Sequence, residues 1–66
     1  MISVEKYEAI RDKAGMTDYM VMKECGLKST VIYDWKRGKS TPKVETLYKL
    51  SKFFGVPMEA FIADKN

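Results

Sequence analysis

Apolar residues recur every three or four positions along most of this chain, which is the spacing of one buried face of an α-helix. Ser3 and Thr17 are good N-caps, and the apolar pattern behind them predicts helices over about residues 4–14 and 18–25. The same spacing predicts three further helices over about residues 29–37, 44–54 and 57–63. No alternation of period two is long enough for a sheet, so the expected fold is an all-α, five-helix bundle.

The ends of the predicted helices have matching signals. Each of the first four is followed by a glycine that can adopt the left-handed conformation of a helix end: Gly15, Gly26, Gly38 and Gly55. The segment 39–42 has turn chemistry and no apolar anchor, which predicts a loop. The fourth helix is expected to bury four apolar residues and to leave Phe53 at the edge. These four are Val44, Leu47, Leu50 and Phe54.

The second and third helices form one recognisable unit of twenty residues from Asp18 to Arg37. Counted from Asp18, a glycine stands at position nine and apolar residues at positions four, eight, ten, fifteen and eighteen. These residues are Gly26, Val21, Cys25, Leu27, Ile32 and Trp35. A helix-turn-helix needs this arrangement, because the glycine supports the tight turn and the apolar residues seal the two helices together. Trp35 and Cys25 are therefore interpreted as core residues.

Composition bounds the class of protein. With 66 residues, 45% of them hydrophobic, the chain is expected to be one globular domain over 1–66 without an effector domain. One cysteine and no histidine make an internal disulfide impossible and argue against a zinc site. No run of apolar residues is long enough to span a membrane, and the start lacks a signal peptide, so a cytoplasmic protein is expected. We find no sign of a cofactor, small-molecule ligand or enzyme site.

Charge is concentrated in one part of the chain. Residues 28–43 carry five basic residues and one acidic residue, a net charge of +4, whereas the whole chain carries +3. Such a local basic patch favours a phosphate-bearing partner, although an ordinary solvated face is the alternative.

The sequence resembles the Xre/Cro-type helix-turn-helix domains of phage repressors and bacterial regulators. The resemblance covers about residues 10–62 and is most specific over 35–42. It also rests on Cys25-Gly26-Leu27 and on the segments 45–52 and 54–59. It implies a lambda-repressor-like DNA-binding domain whose third helix enters the major groove of double-stranded DNA.

The resemblance assigns base reading to Ser29 and Thr30, which open the third helix, with Asp34 and Tyr33 one turn further. Asp34 is an acceptor suited to the cytosine amine, or else it pairs with Lys28 or Arg37 or is solvated. Tyr33 contacts a phosphate or a thymine methyl, or has no partner. The phosphate contacts are expected from six residues: Lys28, Arg37, Lys39, Ser40, Thr41 and Lys43.

The chain departs from the family pattern at three positions. Asp18 stands where a glutamine often holds a phosphate, and Met22 stands where a small residue is usual. Lys36 stands where the family often has a glutamate, which pairs with the arginine that corresponds to Arg11. In this chain that pair cannot form, so Arg11 needs another acceptor or points to solvent.

These observations predict a DNA-binding transcriptional regulator, a Cro-like or repressor-like homodimer from a phage or bacterium that binds a pseudo-palindromic operator. Phe53, with Phe61 or Ile62, is a candidate dimer face, and additional core is the alternative. The competing functional hypothesis is an antitoxin or protein-interaction module that uses the same fold with little DNA binding.

Overall fold

The computed structural model describes residues 2–63; Met1 and residues 64–66 of the predicted domain lie outside this part. The described chain forms four α-helices and one 3-10 helix. They are α1 (Val4–Lys13), α2 (Asp18–Cys25), α3 (Ser29–Lys36), α4 (Val44–Phe54) and the 3-10 helix Met58–Phe61. The all-α class and the first four predicted helices are confirmed, with bounds that differ by at most one residue. No helix in residues 2–63 is long and apolar enough to cross a membrane.

Local capping explains why α1 and α2 begin where the sequence predicts. The Ser3 hydroxyl accepts a hydrogen bond from the Lys6 backbone N–H at 3.2 Å, and the Thr17 hydroxyl accepts one from Met20 at 3.2 Å. Gly26 ends α2 with φ 68° and ψ 35°, a left-handed conformation that a residue with a Cβ adopts at a cost. The chain can therefore turn sharply enough to begin α3 only three residues later.

The prediction of a fifth α-helix over 57–63 is wrong. A four-residue 3-10 helix stands there instead, and Ile62 after it is extended and pairs with Ile2 in an isolated antiparallel bridge. The Ser3 backbone N–H donates to the Phe61 carbonyl at 2.8 Å. Since Ile62 is extended where it pairs with Ile2, the helical conformation ends at Phe61. Four α-helices with a closing 3-10 helix therefore replace the expected five-helix bundle.

The core takes residues from every element. Seven hydrophobic residues are buried: Tyr7, Val21, Ile32, Trp35, Leu47, Leu50 and Phe61. The Tyr7 and Trp35 rings lie 5.2 Å apart between their centroids, which joins α1 to α3. The expected burial of Val44 is wrong, since its side chain is 70% exposed. Ser51 instead occupies an inward position of α4. Its hydroxyl donates to the Tyr48 carbonyl at 2.8 Å, so the buried hydroxyl has a hydrogen-bond partner.

Candidate nucleic-acid interface

The helix-turn-helix unit packs as its spacing predicts. Val21 on α2 is fully buried, and Ile32 and Trp35 on α3 are 2% and 4% exposed. Leu27, between the helices, packs against the same core. Trp35 is therefore a core residue and is not available to stack on bases. Since α3 is held by this buried side, its opposite side faces outward.

The outward side of α3 carries the residues expected to read bases. Ser29, Thr30 and Tyr33 are exposed, and Tyr33 reaches 64% exposure. The Arg37 guanidinium lies over the Tyr33 ring, 5.8 Å from its centroid, so the two side chains form a cation–π pair. Two hydroxyls, an aromatic ring and a cation thus share one accessible helix surface.

This surface continues into the loop between α3 and α4. A shallow groove is lined by Thr30 and Asp34 of α3 together with Ser40, Thr41 and Lys43 of the loop. Pro42, near the end of this loop, is buried, so the expectation that the loop lacks an apolar anchor is wrong. The buried proline holds the loop beside the exposed end of α3.

Asp34 lies partly buried at the edge of this groove. Among residues 2–63 it forms no ion pair with Lys28 or Arg37, which were its alternative partners. Its backbone carbonyl accepts hydrogen bonds from the N–H groups of Lys39 at 2.8 Å and Ser40 at 3.4 Å. Those two N–H groups are therefore used inside the protein and are not available to a ligand.

Four basic side chains at this surface have no acidic partner within residues 2–63. We call them the outer cations: Lys28, Arg37, Lys39 and Lys43. All four are exposed. Because no carboxylate neutralises them within the described chain, they are free to attract a polyanion.

A second set of polar and charged residues forms hydrogen bonds and ion pairs between α1, α2 and α3. We call it the polar cluster, and it consists of Tyr7, Glu8, Arg11, Asp18 and Lys36. Asp18 accepts hydrogen bonds from the Tyr7 hydroxyl at 2.8 Å, from Arg11 Nη1 at 2.6 Å and from Lys36 Nζ. Lys36 Nζ also lies 3.6 Å from a Glu8 carboxylate oxygen. The cluster ties three helices together at the start of α2.

The electrostatics of the polar cluster follow from this geometry. Partial burial alone would raise the pKa of Asp18, but hydrogen bonds from Lys36, Arg11 and Tyr7 outweigh it, so its pKa is lowered. Burial, and then the bond to Asp18, raises the pKa of the Tyr7 hydroxyl. Asp18 is thus a carboxylate whose charge is compensated by two cations.

The polar cluster resolves two departures from the family pattern. Arg11 has found another acceptor, Asp18, so of the two alternatives for Arg11 the structure shows the first. Sequence reasoning missed the link between Asp18 and Lys36. The signal was available, since the unusual acid at position 18 and the unusual base at position 36 are complementary changes.

The residues expected at a dimer face differ in exposure. Phe61 is fully buried, so its side chain belongs to the core, which was the alternative interpretation. Phe53 is partly buried and its ring packs edge-on against Phe54, with 5.1 Å between centroids. Ile62 is 38% exposed. Phe61 therefore leaves the candidate dimer face, and Phe53 with Ile62 stays a prediction.

Cys25 is a free, partly buried thiol that packs against the core. Burial raises its pKa, which disfavours the reactive thiolate. This agrees with a structural role for Cys25.

Comparison with known proteins places the chain in a family. The model of the Helix-turn-helix family matches residues 8–61, and the chain belongs to this family. The chain is also 29% identical over 61 residues to the cryptic phage CTXphi transcriptional repressor RstR of Vibrio cholerae. The aligned region is 92% of this chain and 55% of the relative, so the chain spans about half the length of that protein. No solved structure matches the chain significantly. The family inferred from the sequence is thus confirmed.

Proposed function

We propose that this protein is a transcriptional regulator that binds double-stranded DNA sequence-specifically as a homodimer, with α3 in the major groove. The observation that carries the proposal is the continuity between the exposed side of α3 and a loop rich in cations. Thr30, Asp34, Ser40, Thr41 and Lys43 line one groove. A helix in the major groove with an adjoining loop on the phosphate backbone requires such an arrangement.

The roles of the residues on α3 follow from their chemistry. Ser29 and Thr30 offer hydroxyls that both donate and accept, so they serve many base edges. Asp34 only accepts, and its natural base partner is the N4 amine of cytosine. Tyr33 offers its ring to a thymine methyl or its hydroxyl to a phosphate. Base reading on this surface depends on hydroxyls and one acid, and we expect it to be selective but weak.

Affinity comes from the outer cations, with Ser40 and Thr41 as additional hydrogen-bond donors to phosphate. If the four outer cations of each protomer contact phosphates, a dimer neutralises about eight charges, and log K falls with log salt at a slope of about −7. Contacts to phosphates then supply most of the affinity. Selectivity comes from the dimer, which presents two copies of the weak base-reading surface of α3.

The relative supports this proposal through its description as a transcriptional repressor. The aligned region includes the helix-turn-helix unit, since it covers 92% of this chain. We propose repression of a phage or prophage promoter as the biological setting.

The first experiment is a titration of binding to random-sequence duplex DNA between about 50 and 200 mM salt. A slope near −7 is expected for the wild type, and Lys39→Ala combined with Lys43→Ala should flatten it. Lys13→Ala is the matched control, because Lys13 is an exposed lysine at the end of α1, outside the groove. Binding that does not respond to salt would contradict the proposal. Selection from a random DNA pool then gives the operator, whose half-sites should lie about 34 Å apart.

The antitoxin or protein-interaction hypothesis loses much of its basis. Asp18, Asp34 and Lys36 favour this hypothesis, because two acids and an altered base would disturb docking on DNA. Asp18 and Lys36 form an ion pair with each other, so they present little net charge to a duplex. Asp34 is the remaining unfavourable residue. The same salt titration separates the two functions.

A further inference from the structure

An apolar strip lies on the outside of α4 and is unpartnered within the described protomer. Val44 is 70% exposed and Tyr48 is 52% exposed, and they stand four residues apart on one side of the helix. Together with Met58 of the 3-10 helix they line a shallow groove. The Lys52 ammonium lies 5.5 Å from the centroid of the Tyr48 ring and helps to hold that ring in place. An exposed valine and an exposed tyrosine thus stand side by side on one helix and are accessible to a partner.

The strip faces away from the proposed DNA surface. Thr46 lines the groove shared with α3 and the loop. At about 100° per residue, Thr46 lies about 160° around α4 from both Val44 and Tyr48. A partner that covers the strip therefore leaves α3 accessible.

An acidic and a basic side chain lie beside the strip, so the same surface on a second copy of the chain would carry complementary charges. Glu45 and Lys49 line the same groove as Val44 and Tyr48, and both are exposed. Neither forms an ion pair within residues 2–63, although they stand four residues apart on α4. Glu45 and Lys49, one acid and one base without an ion-pair partner in the described chain, thus flank the apolar centre, while Lys52 lies against the Tyr48 ring.

We infer that a second copy of this chain covers the strip, with the two α4 helices antiparallel about a two-fold axis. Such an axis gives an isologous contact, in which residue i meets residue j and j meets i. Glu45 of one protomer then faces Lys49 of the partner subunit, twice. A parallel pairing would instead set Glu45 against Glu45 and Lys49 against Lys49, and like charges so placed are unfavourable. The inference deepens the proposed function, because it supplies the surface through which the proposed homodimer forms.

The charge pattern allows a sharp test by sedimentation equilibrium in the absence of DNA. The wild type should show a monomer–dimer equilibrium. Glu45→Lys and Lys49→Glu should each raise the dimer dissociation constant at least about tenfold, because each places like charges across the axis. An equimolar mixture of the two variants should form a heterodimer, and the double variant E45K/K49E should recover the homodimer. Lys13→Glu is the matched charge reversal on α1 and should dimerise like the wild type.

Three results would overturn the inference. The first is a wild type that stays monomeric, which would leave the strip to a different protein. The second is single variants that dimerise as well as the wild type. The third is a mixture and a double variant that both stay monomeric. Since no DNA is present, a failure of DNA binding leaves these measurements untouched, so the dimer surface and the proposed function are tested separately. Val44→Lys provides an independent disruption, and at 70% exposure it should not alter the circular dichroism of the monomer.

Discussion

Lys36 and Arg37 are neighbours in the chain, yet they belong to different regions of the molecule. Lys36 pairs with Asp18 and Glu8 in the polar cluster. Arg37 has no acidic partner within residues 2–63 and lies over the exposed Tyr33 ring. One residue along a helix is a rotation of about 100°, which is enough to move a cation from an interhelical contact to the outer surface. Position on the helix therefore decides whether a basic residue stabilises the fold or is available for a ligand.

The largest expected effect comes from breaking the polar cluster at its centre. Asp18→Ala leaves Arg11, Lys36 and the Tyr7 hydroxyl without their shared acceptor, and side-chain hydrogen bonds to charged groups contribute about 2 kcal/mol. Arg11 still reaches Asp12 and Lys36 still lies near Glu8, so we expect the net loss of one such bond, about 2 kcal/mol in the free energy of unfolding, measured by urea denaturation.

Asp12→Ala is the matched control for this variant. Asp12 also accepts from Arg11, at 2.7 Å, but its side chain is 67% exposed. An exposed ion pair contributes little, so we expect a change below about 0.5 kcal/mol. Equal losses from Asp12→Ala and Asp18→Ala would show that burial within the cluster is unimportant.

The stabilising contribution of the Asp18 carboxylate should also make the free energy of unfolding depend on pH. The pKa of Asp18 is lower in the folded state than in the unfolded state, so the folded state binds fewer protons at this site. Its contribution is fully present above the unfolded pKa and is lost as the pH falls through the lowered folded pKa. Stability of the wild type should therefore decline in acid, and Asp18→Asn should show a shallower decline in urea denaturation between about pH 5 and pH 2. Parallel curves for the two proteins would contradict this assignment.

The contrast between the two regions also explains what could be predicted from sequence. Helix starts depend on residues three positions away, as with Ser3 and Lys6, so local pattern was enough to find them. The helix-turn-helix core followed from spacing within twenty residues. In the polar cluster, Asp18 contacts three side chains that are seven, eleven and eighteen positions away in the sequence. Only the packing of the helices brings these side chains together.

The same distinction accounts for two of the errors in the fold. The fifth α-helix was predicted from Pro57 and the apolar residues after it, but Ile62 is extended and pairs with Ile2, which is 60 positions away in the sequence. Val44 fits the apolar spacing of α4, yet it lies outside the core. Periodicity identifies an apolar residue on a helix, but it does not say whether the core covers it.

A smaller effect should distinguish the neighbours Lys36 and Arg37 directly. Arg37→Ala removes one of the proposed phosphate contacts from each protomer, so the slope of log K against log salt should become shallower by about 1.8 in a dimer. Its stability should change by less than about 0.5 kcal/mol. Lys36→Ala should do the reverse, lowering stability and leaving the salt slope unchanged. Identical salt slopes for Arg37→Ala and the wild type would remove Arg37 from the set of phosphate contacts.

The smallest expected effect concerns base reading within the outer surface itself. Ser29 opens α3 and is exposed, and its hydroxyl makes at most a single uncharged hydrogen bond to a base edge. Such a bond contributes about 1 kcal/mol or less, so Ser29→Ala should change the preference for the base it contacts by about threefold to fivefold. The salt slope should stay as in the wild type, because no phosphate contact is lost. The measurement is a competition among duplexes that differ at single positions of the selected operator. A loss of affinity that is uniform across all these duplexes would assign Ser29 to the backbone instead, and the outer surface would then read sequence only through Thr30, Tyr33 and Asp34.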